Sequence, residues 1–514
     1  MTGFFMLKCL TIRFDQRIIL IMVLSKKKKW LIYLFCIFVA FSFLLIASNN
    51  SFLYKFNDWI DVNWYITMGR GLLDGKVMYR DLYEQKGPLT YFVFAVLGLF
   101  DNVYYAVFIL EVICLSIFLI LAYKLLSKHL DISLSLIGVV LIALLLTCCP
   151  FFVVGGGSVE EYMMPIFMYF LLVLVAMIES EYKFTRIKSI LAGVMLAIVF
   201  WVKYTMIVLP GCILLLWLIF EIRNKRFKAA IVSILFMLIG FLIVTLPIIM
   251  YFVGHGAFKD LMISYFYNNL FKYKSQPDMM GNILNFVVLG ICPFVFNILG
   301  VAHTFRLYGK RAWMYAGVMI AYLLSLLIFD CCVYYFLPTI VFNLMGIIMM
   351  LSSFKYVGFK IVGKCMMVTL SFIVMFSSSF LFANGIFEMG RDRSEYAQFQ
   401  IAEDIRSFNL EDPTIFCYRM YDYGVYTVCG VVPEEKYFAR NNFTRDEFPE
   451  MYDGFENAIR TQLHDFVVVQ KNVYNEDKEL LETYYDCYKE YSYHYIESTF
   501  STHKEEFILM VKSV

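Results

Sequence analysis

The strongest constraint in this chain is a recurrence of apolar stretches, each about 20 residues long, separated by short polar connections. LIYLFCIFVAFSFLLIA (31–47) carries no charged side chain. A helix apolar on every side is stable in lipid, where the backbone must satisfy its own hydrogen bonds. Hydrophobic residues make up 61% of the 514 and charged residues 17%, against about 45–50% and about 25% in soluble domains. The chain therefore reads as a polytopic α-helical membrane protein. Its formal net charge of +2 gives no reason to expect a nucleic-acid partner.

A ruler of about 20 residues gives about eleven transmembrane helices. They are expected near 30–48, 103–123, 132–152, 162–179, 187–203, 204–221, 229–252, 282–303, 312–329, 332–353 and 365–386. Basic clusters occupy every second connection: Lys26 to Lys29, Lys124 and Lys128, Lys183 to Lys188, Arg223 to Lys228, Arg306 to Arg311, and Lys355 to Lys364. Basic loops stay in the cytoplasm, so the N-terminus is expected inside, and the loop 49–102 and everything after about 387 outside. The segment 1–29 is then a cytoplasmic N-terminal stretch whose first 25 residues are too interrupted by charge to span. Residues 30–387 form the multispan membrane domain. The first span has a longer apolar core than a signal peptide and reads as an uncleaved anchor.

Past residue 387 the texture changes. TIFCY (414–418), DFVVVQ (465–470) and EFILMVK (506–512) alternate with helix-like stretches around 395–408 and 448–463, which predicts a small extracytoplasmic α/β domain over 388–514. Most of the 13 cysteines lie in expected spans, where they act as small hydrophobes. Without CxxC or HxxxH spacing there is no zinc site, and neither a metal nor a cofactor is expected.

Charge and aromatics concentrate instead in DVNWYITMGRGLLDGKVMYRDLYEQKGPL (61–89), in the first outer loop. Asp61 and Tyr65, four residues apart, share a helical face. Gly69, Gly71 and Gly75 are expected to break that helix. Arg80 and Lys86 supply cations, Asp81 and Glu84 anions, and Gly87-Pro88 turns the chain back toward the bilayer. Further ionisable residues sit at span ends on the same side: Glu160 and Glu161 in GGGSVEEYMMP, Lys203 in FWVKYT, and Asp330 in FDCCVYYFLP. Aromatic and cationic residues anchor helices at the headgroups of many membrane proteins. The gathering of so many ionisable groups at one face, where burial is costly unless they are paired or functional, favours a site.

These motifs resemble the C-type glycosyltransferases that use polyprenyl-phosphate sugars, among them the protein O-mannosyltransferases and the lipid A aminoarabinose transferases. The likeness rests on DxxxY (Asp61, Tyr65) followed by YRD and EQKGPLTYF, with GGGSVEEYMMP, the Lys203 segment and YYFLP (334–338) as later landmarks. It implies that Asp61 is the catalytic base, that Lys86 and Lys203 hold the donor phosphate, and that Tyr65, Tyr83, Glu160, Glu161 and Tyr335 line the substrate pocket. The family's acidic residue is often doubled as Asp-Glu, whereas Val62 follows Asp61, so Asp58 stays open as the base. The implied reaction moves a sugar from a polyprenyl phosphate to an envelope acceptor, a glycan, teichoic acid, lipid or protein. It runs on the outer face of a bacterial plasma membrane, amid membrane lipids, as an inverting single displacement. The competing reading is a transporter or flippase for a lipid-linked or envelope glycan, whose signature of inverted repeats is not visible here.

Overall fold

The computed structural model describes residues 26–152, 155–180, 182–272, 279–284, 286–287, 290–327, 332–353, 386, 388–498 and 501–513. Asp330 and nearly all of the expected span 365–386 lie outside the described residues. Helices dominate the first part: α1 (Lys26–Ala47), α2 (Ile60–Leu73), α3 (Pro88–Leu97), α4 (Val103–His129), α5 (Ile132–Thr147), α6 (Val159–Glu179), α7 (Arg186–Lys203), α8 (Val208–Arg223), α9 (Phe227–Gly254), α10 (Ile291–Tyr308), α11 (Trp313–Leu327) and α12 (Asn343–Ser353). Several start where a side chain takes over a free backbone N–H. Asn102, Asp131 and Thr185 accept from the residue three positions on, and Ser158 forms a capping box with Glu161.

Among the described residues, seven stretches are long and apolar enough to cross a membrane: Lys29–Ala47, Val103–His129, Val159–Glu179, Arg186–Arg223, Phe227–Gly254, Ile291–Leu327 and Val333–Ser353. Two of them, of 38 and 37 residues, are each a pair of helices joined by a single 3-10 turn. The first pair breaks where Lys203 takes extended angles, φ −159° and ψ 92°, so the expected spans 187–203 and 204–221 meet at that lysine. The expected span 132–152 is a shorter helix of 16 residues. Helices α7 and α9 cross almost backbone to backbone. A Cβ on Gly193 would sit 1.9 Å from the Met237 carbonyl oxygen, and one on Gly240 2.0 Å from that of Ile190.

The outer loop is itself folded. Helix α2 runs through Gly69 and Gly71 and ends only before Gly75, whose φ is +83°. The expectation that Gly69 and Gly71 break the helix is corrected by packing: a Cβ at Gly69 would meet the α3 backbone of Phe94 at 2.6 Å, so that glycine serves a close crossing.

The C-terminal part holds a four-stranded sheet of order β1-β2-β4-β3, with β1 (Ile415–Tyr418), β2 (Phe466–Gln470), β3 (Tyr485–Ser498) and β4 (Ser501–Lys512). Strands β1 and β2 are parallel, and helix α14 (Pro449–Arg460) lies in the crossover between them. Helix α13 (Ala397–Ser407) precedes β1. Along β1, β2 and β4 the side chains alternate between two cores. Cys417, Val468, Phe507 and Leu509 join the main core shared with the membrane helices, whereas Phe416, Val467, Val469 and Ile508 form a second core with Phe448, Phe455 and Tyr83.

Candidate active site

Four ionisable side chains from distant parts of the chain meet where α2, α6 and α7 come together with the turn that precedes α3. Lys86 Nζ lies 3.2 Å from Asp61 Oδ2, with the two side chains 11% and 13% exposed. The Tyr65 hydroxyl, one helical turn along α2, donates to the same oxygen at 3.2 Å, and the Tyr334 hydroxyl approaches it at 3.4 Å. Lys203 Nζ lies 2.5 Å from Glu160 Oε1. That ammonium also sits 3.2 Å from the ring centroid of Tyr335 and 5.8 Å from that of Tyr334, a cation–π arrangement suited to a desolvated charge. Trp59 packs edge-on to Tyr334 at 5.9 Å. Tyr334 thus touches both halves of the site.

The electrostatics are those of two ammoniums held among carboxylates. Burial works against the charge on Lys86, but the carboxylates of Asp61, Glu84 and Glu160 outweigh it and hold the ammonium above the usual lysine range. Burial, together with those same carboxylates, pushes the Tyr65 phenol well above its usual range, so it remains a hydrogen-bond donor. Among the described residues the second oxygen of Glu160 is buried without a hydrogen-bond partner.

The turn carrying Lys86 is held from four directions. Glu84, fully buried, accepts the Lys86 backbone N–H at 2.8 Å and the Tyr91 hydroxyl. The Tyr79 hydroxyl donates to the Lys86 carbonyl at 2.5 Å. Tyr79 has φ +64°, a strained value for a tyrosine, and its ring stacks on Phe252 at 5.6 Å. Asn269 donates to the Gln85 carbonyl at 2.8 Å. The Gly87 N–H donates to the Val202 carbonyl at 3.1 Å, and a Cβ at Gly87 would lie 2.0 Å from the Trp201 carbonyl oxygen. Only glycine lets this turn press against the end of α7, and that contact brings Lys86 and Lys203 into one site.

Asp61, Tyr65, Lys86, Glu160, Lys203 and Tyr335 are therefore brought together, and two other expected pocket residues are placed elsewhere. The Tyr83 hydroxyl accepts from Asn268 at 3.0 Å while its ring packs on Tyr437 and Phe448, in the second core. Glu161 caps α6 by accepting from the Ser158 and Gly157 backbone N–H groups. It borders a small internal cavity with Glu111, whose own carboxylate is held by Ser48 at 2.7 Å and Asn50 at 3.3 Å. Asp58, the alternative base, faces Glu388, Arg391 and Tyr493, and burial first and Glu388 second push its carboxyl up to about 7. Sequence reasoning gave Tyr334, Trp59, Glu84 and Tyr91 no role of their own in the site. A signal existed for two of them, since Glu84 lies in EQKGPL and Tyr334 adjoins Tyr335. Among the described residues no group of three His, Cys, Asp or Glu is arranged to hold a metal ion.

Residues 85–251 match the family model of the dolichyl-phosphate-mannose-protein mannosyltransferases. The match takes in Lys86, Glu160 and Lys203 and begins after Asp61. No curated protein matches the chain. In three dimensions the chain is similar to the crystal structure of ArnT from Cupriavidus metallidurans in the apo state, with a TM-score of 0.60 and 11% identity over 94% of this chain and 98% of that one. It is likewise similar to ArnT from the same organism bound to undecaprenyl phosphate, with a TM-score of 0.57 and 10% identity over the same shares. The agreement covers almost the whole of both chains, and the chain accordingly has the fold of the C-type glycosyltransferases that its outer-loop motifs resemble.

Proposed function

We propose that this protein transfers a sugar from a polyprenyl phosphate to a hydroxyl of a cell-envelope acceptor, by one inverting displacement. The observation that carries the reading is the Asp61–Lys86 pair at 3.2 Å, beside a second buried ammonium on Lys203. Such a donor already has a phosphate leaving group, so the enzyme needs only a base for the attacking hydroxyl and cations for the departing oxygen. As the acceptor oxygen bonds to the anomeric carbon, its proton passes to Asp61. The bond from that carbon to the phosphate oxygen breaks, and the electron pair leaves on the phosphate. Lys86 has three N–H donors and spends one on Asp61, so one ammonium tethers the base and the phosphate on either side of the reacting carbon. The cluster of Asp61, Lys86, Glu160 and Lys203 sums to zero charge. Donor phosphate therefore enters by taking an ammonium partly away from a carboxylate, and Lys203 turns from Glu160 toward it. The free Glu160 oxygen is then placed to accept a sugar hydroxyl.

A protein of this fold has been crystallised with undecaprenyl phosphate, which supports a lipid-phosphate donor. The alternation of basic loops supports eleven spans with the N-terminus in the cytoplasm and the site on the outer face of a bacterial plasma membrane. The test is direct. Purified protein in lipid nanodiscs is given a radiolabelled polyprenyl-phosphate sugar, and release of polyprenyl phosphate with transfer of label to acceptor or water is measured. A flippase would redistribute the intact donor without cleaving it, and that outcome overturns the proposal.

A further inference from the structure

The loop from Pro433 to Phe443 is bound along the folded outer loop. Its Lys436 carbonyl accepts the Tyr83 N–H at 2.8 Å, and Glu434 pairs with Lys76 at 2.8 Å. Farther on, the Arg440 N–H donates to the Met420 carbonyl at 2.8 Å, and the guanidinium lies over the Tyr421 ring, 5.8 Å from its centroid. The same ring meets Trp64 edge-on at 5.8 Å. Trp64 lies on α2 three residues after Asp61, so their Cβ atoms are about 5–6 Å apart on adjoining faces. The Tyr421 hydroxyl donates to Asn442, two residues after Arg440.

What sets this cluster apart is its hydrogen-bond balance. Among the described residues Trp64 Nε1, Arg440 Nε and Asn441 Nδ2 are all buried without an acceptor, and Trp64 and Asn441 are only 2% and 1% exposed. Among the described residues Arg440 has no carboxylate partner, whereas its neighbour Arg445 pairs with both Asp453 and Glu456. Two of these donors, Trp64 and the Arg440 cation, lie against the same tyrosine, and Asn441 follows Arg440 in the chain; among the described residues all three lack a group that only accepts. A phosphate or a carboxylate is such a group, and arginine is the side chain best matched to it.

We propose that Arg440, Asn441 and Trp64 form a subsite for an anionic group on the acceptor, a phosphate or a carboxylate, carried close to the hydroxyl that Asp61 deprotonates. This rests on the transferase reading above and adds the chemical class of the acceptor. The C-terminal region then selects the acceptor through charge, while the lysines on the membrane side hold the donor.

The experiment uses the full-length protein in nanodiscs and three soluble probes: methyl glucoside 6-phosphate, methyl glucuronide and neutral methyl glucoside. Equilibrium binding is followed by NMR titration without donor, and transfer is followed with a labelled polyprenyl-phosphate sugar. The expected result is a preference for an anionic probe over the neutral one of about tenfold or more in wild type. Which anion is preferred distinguishes a phosphate from a carboxylate acceptor. Arg440→Gln should abolish the preference, and Arg440→Lys should restore part of it. Arg445→Gln, on an exposed arginine with its own carboxylate partners, should keep it. No preference in wild type, or a preference that persists in Arg440→Gln, overturns the subsite. Binding that follows this pattern in a protein that cleaves no donor sustains the subsite and sinks the transferase reading instead.

Discussion

Asp61 lies 3.2 Å from the Lys86 ammonium, which is itself held above its usual range, and a general base must stand within hydrogen-bond reach of the reacting groups. Asp61→Asn preserves the shape and one hydrogen-bond acceptor but cannot take the proton. It should lower turnover by roughly 10²–10⁴-fold while leaving donor binding within a few-fold. Lys86→Ala should weaken both, because a cation on the phosphate acts in the ground state and more strongly as charge develops on the leaving oxygen. Purified variants, assayed for donor binding and for transfer, separate these patterns. An Asp61→Asn enzyme with near-normal turnover would point back to Asp58, despite its place against Arg391. Tyr334→Phe tests the residue that sequence reasoning passed over. It loses a donor to Asp61 and keeps the ring beside Lys203, so turnover should fall by about tenfold with little change in donor affinity.

At the scale of elements, the site depends on where one turn touches one helix end. Gly87→Ala places a methyl group 2.0 Å from the Trp201 carbonyl oxygen, which is backbone and cannot swing aside. The turn must retreat from α7, which separates Lys86 from Lys203. The expected outcome is a loss of about 1–3 kcal/mol in stability together with weakened donor binding, read from thermal unfolding in detergent and from a binding titration. A Gly87→Ala protein with wild-type donor affinity would show that the two lysines act independently. The Asp61–Tyr65 spacing was legible because a helix period of 3.6 residues puts i and i+4 together whatever surrounds them. The run of α2 through Gly69 was not legible, since the reason for that glycine is the backbone of α3.

At the scale of the molecule, the C-terminal sheet grips the helix that carries Asp61. Thr67 on α2 donates to Asp422 at 2.6 Å, and Arg70 donates to the Thr427 carbonyl at 3.0 Å. Asp422 is fully buried, and burial lifts its carboxyl to about 6 from the ordinary 3.8, against the hydrogen bonds from Thr67 and Gly424 that pull it down. A raised carboxyl is stabilising in its protonated form. That contribution is complete below pH 3.8, is lost as pH rises through about 6, and amounts to roughly 3 kcal/mol. Asp422→Asn removes the titration, so the variant should gain stability relative to wild type between pH 4 and pH 7. Thermal unfolding of both proteins across that range checks it, and a difference that stays flat with pH contradicts it. The topology is checked in intact cells with single cysteines: one at Tyr437 should react with an impermeant reagent, and one at Lys188 or Lys310 only after permeabilisation.

Apolar length alone determined that this chain enters a membrane many times, because a bilayer leaves few other homes for charge-free stretches of about 20 residues. Strand-like runs beyond residue 410 announced the sheet for the same local reason, although β3, rich in tyrosine and charge, did not stand out. The Lys86 turn and Asp61 were marked by their own loop. Which distant groups reach them was decided only by tertiary structure. Glu160 and Glu161 are adjacent in sequence on the first turn of α6, so their side chains point about 100° apart. One meets Lys203 at the site and the other caps its own helix beside Glu111. Local sequence sets that angle, but it is the packing of α6 against its neighbours that chooses which of the two glutamates faces the charge.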